Sequence, residues 1–173
     1  MHSSLVKSLL VAAFAFGTTA VTQTASADPA SSVRWETVVG ILQPNNVVGT
    51  GTGAATGGGA PWSTIDGHVA VRLDRGKVDF DVSGLVLAGG NAIGTPGPVA
   101  QVKGTLVCDT DGSASGGNSV LVDTPLVDLD ENGDATFSGN LGHLPAVCSS
   151  EDDIAFLIRT GSGRWIANAA VIH

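Results

Sequence analysis

The sequence predicts an all-β protein, a single antiparallel β-sandwich or β-barrel of about eight to ten short strands. Apolar and polar residues alternate with a period of two in several runs, a pattern typical of strands with one buried face. Gly, Pro, Asn and Asp residues that favour turns separate these runs. No segment after residue 27 has a helical period of useful length.

The clearest predicted element is a hairpin over residues 68–87. Its apolar residues recur at every second position on both sides of a turn, namely Val69, Val71, Leu73, Val78, Phe80 and Val82. The turn is predicted at 74–77, because Gly76 accepts a positive φ and Asp74 can accept a bond from a nearby backbone N–H. The alternation shifts by one residue at Ser83 and Gly84, which predicts a β-bulge and a curved sheet.

The other predicted strands are shorter or less regular. They cover residues 33–42, 62–67, 100–108, 120–122, 126–130, 134–139, 154–159 and 165–173. Asn132-Gly133 is a strong hairpin signal, so strands 126–130 and 134–139 are predicted to pair with each other. The Gly-rich stretch 49–59 fits either a flexible loop or a thin strand against another backbone.

The first 27 residues have the features of a secretory signal peptide. Lys7 precedes an apolar run over 8–17, and Ala25-Ser26-Ala27 supplies an A-x-A cleavage site before Asp28. The run is too short to span a bilayer. We therefore expect a secreted, extracellular protein whose single all-β domain covers residues 28–173.

Two cysteines, Cys108 and Cys148, lie at the ends of apolar segments. In an exported protein such a pair predicts a disulfide. A bridge between them would also bring Asp109 and Asp111 close to the acidic run at 151–153.

The formal net charge of −8 indicates an acidic surface. Nucleic acid and anionic membranes are poor partners for it, because both are bound through Lys and Arg. No apolar segment long enough for membrane insertion follows the leader. The expected partner is a protein or a glycan.

One loop has oxygen ligands at the spacing of the first half of an EF-hand calcium loop: Asp128, Asp130, Asn132 and Asp134. Position 12, which should supply a bidentate carboxylate, is Gly139, and both flanking segments are predicted strands. A non-EF calcium site and a hairpin with exposed carboxylates both remain open. No other cofactor is expected.

Two further sets of residues suggest chemistry or binding. Asp66 and His68 lie at i and i+2 and so share one strand face, which is the geometric support for assigning them acid–base roles in a small secreted hydrolase. The three large aromatic residues Trp35, Trp62 and Trp165 either stack on sugar rings or form the core. No recognised pattern of a nucleophile and a base occurs in the sequence.

Several short motifs resemble an uncharacterised family of small secreted proteins of high-GC bacteria. They are Gly84-Leu85-Val86, Thr95-Pro96-Gly97-Pro98-Val99, Leu106-Val107-Cys108, Gly133-Asp134-Ala135, Leu144-Pro145-Ala146-Val147-Cys148 and Trp165-Ile166-Ala167. The resemblance implies bacterial secretion and carries no catalytic residues. The sequence therefore favours a secreted, non-catalytic binding module, with a calcium-stabilised structural or adhesive protein and a small hydrolase as alternatives.

Overall fold

The computed structural model describes residues 32–149 and 151–172, so the predicted signal peptide lies outside the described residues. Within this part of the chain the fold is all-β, as predicted. The strands are β1 Ser32–Gly40, β2 Val47–Val48, β3 Ala55–Thr56, β4 Trp62–Ser63, β5 Asp66–Arg72, β6 Lys77–Ser83, β7 Val86–Leu87, β8 Gln101–Cys108, β9 Val120–Asp123, β10 Val127–Asp128, β11 Ala135–Asn140, β12 Ile154–Thr160 and β13 Trp165–Ile172. Short 3₁₀ turns cover Gly51–Gly53, Ala146–Ser149 and Glu151–Asp153.

Nine strands form one curled antiparallel sheet, a half-barrel. Its order is β10-β8-β12-β13-β1-β5-β6-β11, and β9 also pairs with β8. Two small antiparallel sheets, β2 with β3 and β4 with β7, lie outside it. Because β10 and β11 follow each other in sequence but occupy opposite edges, one short connection spans the open side of the half-barrel.

The central hairpin is confirmed as β5 and β6, which pair from Asp66 with Ser83 to Arg72 with Lys77. Gly76 has the positive φ that the turn requires. The predicted bulge is wrong, because β6 ends at Ser83. Gly84 takes a positive φ, and the chain leaves the sheet towards β7.

The predicted pairing of 126–130 with 134–139 is also wrong. Asn132-Gly133 does make a tight turn, closed by a bond of 3.1 Å from Asp130 N to Asp134 O. Beyond this turn β10 pairs with β8, whereas β11 pairs with β6 over its whole length. The long contact with β6 wins because it also packs Phe137 against Phe80, with ring centroids 5.9 Å apart.

Aromatic rings fill the concave side of the sheet. The ring centroids of Phe80 and Phe156 are 5.8 Å apart, and those of Phe156 and Trp35 are 6.1 Å apart. Gly104 on β8 makes room for these rings, because an added Cβ would lie 2.4 Å from Phe156 Cζ. Ring packing across the interior therefore stabilises the curled sheet in addition to its strand ladders.

Part of the sheet is covered on both faces, since adjacent residues Phe156 and Leu157 of β12 are both fully buried.

The Gly-rich stretch forms a hairpin of β2 and β3. Trp165 Nε1 donates to Asn46 O at its base (3.1 Å), and Ser119 N donates to Thr50 O at its tip (3.1 Å). Gly53 packs so closely on the Ser119 carbonyl that no side chain would fit. This is the thin strand against another backbone that its composition allowed.

Candidate functional site

Strand directions divide the molecule into two ends. At the first, which we call the loop end, β1, β6 and β12 finish and β5, β8, β11 and β13 begin. At the opposite end, the disulfide end, β8 finishes at Cys108, which is bonded to Cys148 in a 3₁₀ turn. The predicted disulfide is therefore confirmed.

Three carboxylates meet at the disulfide end. One carboxylate oxygen from each of Asp109, Asp111 and Asp153 lies within 4.8 Å of the other two. Asp109 directly follows Cys108, and Asp153 directly precedes Ile154, which pairs with Cys108 across the β8–β12 ladder. The predicted approach of the two acidic segments is confirmed, and strand register enforces it together with the disulfide.

Local donors hold each carboxylate of this cluster. Asp109, which is 1% exposed, accepts a bond of 3.1 Å from Ala114 N. Asp153 Oδ1 accepts bonds from Thr110 N (2.7 Å) and Thr110 Oγ1 (2.5 Å). No Lys or Arg forms an ion pair with these acids in residues 32–149 and 151–172. A buried carboxylate without a cationic partner is unusual and is a potential cation ligand.

The Ser115 hydroxyl oxygen is buried beside the cluster and has no hydrogen-bond partner of normal geometry among the described residues. It lies close enough to Asp109 to lower the pKa of that carboxyl, and the Ala114 N–H lowers it further against the opposing effect of burial. These bonds favour the ionised form of the Asp109 carboxyl. Three clustered carboxyl groups beside a buried hydroxyl offer the oxygen ligands that calcium prefers.

Acidification is expected to destabilise the protein. The pKa values of four aspartates, Asp79, Asp109, Asp123 and Asp130, lie below the ordinary value of 3.8 in the folded state. Their contribution to the free energy of unfolding is complete above that value and is lost as the pH falls through the lowered values. The melting temperature should be flat between about pH 5 and 7 and should fall below about pH 4. A rise in melting temperature on acidification would contradict this assignment.

The carboxylates of the EF-hand-like loop accept hydrogen bonds from separate donors. Asp128 Oδ1 accepts a bond from Gln101 Nε2 (3.0 Å), and Asp134 Oδ1 accepts one from Gly84 N (2.9 Å). Asp130 Oδ1 accepts bonds from the backbone N–H groups of Asn132 and Asp134, both at 2.9 Å. The three carboxylates form no group of the kind seen at the disulfide end in the described part of the chain.

Asp66 and His68 do share the exposed face of β5, as predicted. His68 Nδ1, however, lies 2.8 Å from Asp81 Oδ1 on β6, whereas Asp66 accepts a bond from Gly67 N. The partner that sequence reasoning missed is Asp81, which lies opposite His68 in the β5–β6 register. The hydrolase role of Asp66 and His68 stays a prediction, and a loss of a hydrolytic activity in His68→Ala would be its test.

All three tryptophans are buried, with Trp35 at 2% and Trp62 and Trp165 at 4% exposure. A ring needs a free face to stack on a sugar. The core interpretation is therefore confirmed, and the alternative that these three rings bind a glycan is wrong.

The loop end carries the feature that the sequence analysis missed. Every large hydrophobic side chain that is exposed in residues 32–149 and 151–172 lies on or beside the loops of this end: Val39, Leu42, Val47, Ile65, Ile93 and Leu126. Ile65 is 86% exposed and Leu42 is 75% exposed. Alternation could not reveal the set, because it reports burial within strands and most of these residues lie outside them.

Backbone hydrogen bonds fix the loops that carry these side chains. Trp62 N donates to Ile41 O next to Leu42, and Ile65 N donates to Ser83 O. Gly94 N donates to Leu87 O and closes the loop that contains Ile93. The exposed apolar side chains thus stand on an ordered backbone, which lowers the entropic cost of binding.

In residues 32–149 and 151–172, none of the helical turns has the length and apolar character of a membrane-spanning helix. No protein-family model, curated protein or solved structure matches the chain.

Proposed function

We propose that this chain is a secreted, non-catalytic interaction module that binds a partner protein through its loop end. The observation that carries the proposal is the collection of exposed aliphatic side chains at that one end. Soluble proteins rarely expose apolar patches of large area, and such patches mark interaction sites. Loops held on a rigid β scaffold are a common place for binding residues.

The chemistry of the loop end favours a protein over a glycan. Its exposed large hydrophobic residues are aliphatic, whereas the three tryptophan rings, whose flat faces could stack on sugars, are buried in the core. Transfer of Leu, Ile and Val side chains from water to an apolar protein surface is favourable by roughly 25 cal/mol for each Å² buried. An apolar patch on a partner protein is the surface that complements them.

Secretion is part of the proposal. It is supported by the signal-peptide pattern of residues 1–27 and by the disulfide, since disulfides persist in oxidising compartments.

The triple variant Leu42→Ser, Ile65→Ser, Ile93→Ser tests the proposal. It should fold with an unchanged melting temperature, because these side chains are largely exposed. Recovery of the partner from the medium and surface proteins of the source cells should fall by at least about tenfold, because three apolar contacts are lost. Immobilised protein and quantitative mass spectrometry measure this recovery.

The matched control is Asp74→Ser, Arg75→Ser at the turn between β5 and β6, on the opposite end of the sheet. It should retain the partner as the unaltered chain does. Equal recovery by the triple variant and the control would refute a role for the loop end.

A calcium-stabilised structural protein is the second candidate function. The observation that favours it is the cluster of Asp109, Asp111 and Asp153, with one acid buried and no cationic partner in the described residues. If calcium binds there, calcium at about 100 times its dissociation constant should stabilise the fold by about 2.7 kcal/mol over EDTA. Asp111→Asn should abolish that shift, and Asp130→Asn should retain it. Identical melts in EDTA and calcium would eliminate this candidate.

A further inference from the structure

One edge of the half-barrel lacks the features that usually prevent pairing with another strand. Strand β11 pairs with β6 on one side, and in the described part of the chain no strand is hydrogen-bonded to its other side, although β10 comes near it. Its sequence, Ala-Thr-Phe-Ser-Gly-Asn, contains neither proline nor a charged residue. Natural proteins usually block a free edge with such residues, so an open edge of this length is a template for another strand.

The opposite edge has features that hinder pairing with a further strand. There β10 contains only two residues, and Pro125 separates it from β9. A charged side chain, Asp123, also ends β9 on this edge. The chain therefore blocks one edge of its sheet by familiar means and leaves the other free to pair.

A cleft of about 450 Å³ lies at the start of the free edge, where β10 approaches β11. Val82, Val127 and Ala135 form its apolar part. A strand that pairs with β11 would run into this cleft and could place a side chain there. Specificity in strand addition comes from such pockets beside the edge.

The cleft is strongly acidic. Asp81, Asp128 and Asp134 line it, and no Lys or Arg does. Their partners in the described residues are the His68 ring, the Gln101 amide and the Gly84 N–H, none of which carries a permanent positive charge. A ligand that enters the cleft would be favoured by its own positive charge.

We propose that β11 binds an extended peptide segment of a partner protein that adds to the sheet as a further strand and presents Lys or Arg to the acidic cleft. This inference rests on the proposed interaction function and names the backbone that the partner engages. A second copy of the chain is a poorer occupant, because its β11 contains no Lys or Arg to present to the acidic cleft.

The test uses isotope-labelled chain and three short synthetic peptides. The first alternates lysine with valine, the second has glutamate in place of lysine, and the third is the lysine peptide with every backbone nitrogen methylated. NMR titration and amide hydrogen exchange report on residues 135–140. The lysine peptide should shift these amides and slow their exchange by at least about tenfold, since a new ladder protects them.

Charge and backbone effects should separate clearly. The glutamate and methylated peptides should bind at least about tenfold more weakly, the first through repulsion and the second through its missing donors. Asp81→Asn with Asp128→Asn should weaken lysine-peptide binding by roughly three- to fivefold. Asp74→Asn at the far turn is the matched control and should leave it unchanged.

Equal binding of the methylated peptide, absence of a saturable shift at millimolar concentration, or shifts confined to other strands would overturn the proposal. Protection of β11 that grows with protein concentration alone would also overturn it, in favour of a second copy. The triple loop-end variant leaves β11 intact. Peptide protection with unaltered partner recovery in that variant would refute the loop-end function alone, and the reverse pattern would refute strand addition alone.

Discussion

Replacing Cys108 and Cys148 together with alanine is expected to lower the free energy of unfolding by about 4 kcal/mol. The bond closes a loop of 40 residues, and its loss restores conformational freedom to the unfolded chain. Both positions are buried, so the loss of packing adds to the effect. The melting temperature should fall by roughly 10–15 °C for a domain of this size.

Reduction of the unaltered chain with a thiol reductant is the control, because it opens the same loop without removing side chains. It should reproduce most of the loss. Amide exchange should accelerate first near Asp109 and Asp153, which the bond helps to hold together. A destabilisation below about 1 kcal/mol in both experiments would show that the loop is already constrained by other contacts.

Phe80→Ala is expected to lower the free energy of unfolding by about 3–5 kcal/mol. The Phe80 ring is 2% exposed and touches the rings of Phe137 and Phe156, so its removal leaves a cavity between opposite sides of the half-barrel. Chemical denaturation should show a lower midpoint with a similar slope, since the fold itself is retained.

Phe137→Ala is the matched control on the edge strand β11. The Phe137 ring is only partly buried, so its loss should cost less than half as much. Equal losses in the two variants would contradict the central position given to Phe80.

The central hairpin could be read from the sequence because its signals are local. Strict alternation from Val69 to Val82 and a turn with Gly76 determine both the strands and their register. Strand partners farther apart could not be derived in this way. Asn132-Gly133 makes the predicted turn, but β11 forms a six-residue ladder with β6, and β10 pairs over two residues with β8 at the other edge of the sheet.

The acidic cluster was partly predictable and the loop end was not. Pairing Cys108 with Cys148 is enough to bring Asp109 towards Asp153, so one covalent constraint reveals the neighbourhood. Leu42, Ile65 and Ile93 lie far apart in sequence on irregular loops. Their common end of the molecule appears only when the direction of every strand is known.

Site-specific photo-crosslinking tests the central claim, partner binding at the loop end, most directly. A benzophenone side chain at position 65 or at position 75 places the probe on opposite ends of the sheet, because Ile65 precedes β5 and Arg75 follows it. Irradiation with the medium and surface proteins of the source cells should join a discrete partner to position 65 and not to position 75. A discrete crosslinked partner at position 75 with none at position 65 would contradict the proposal that the loop end is the binding surface.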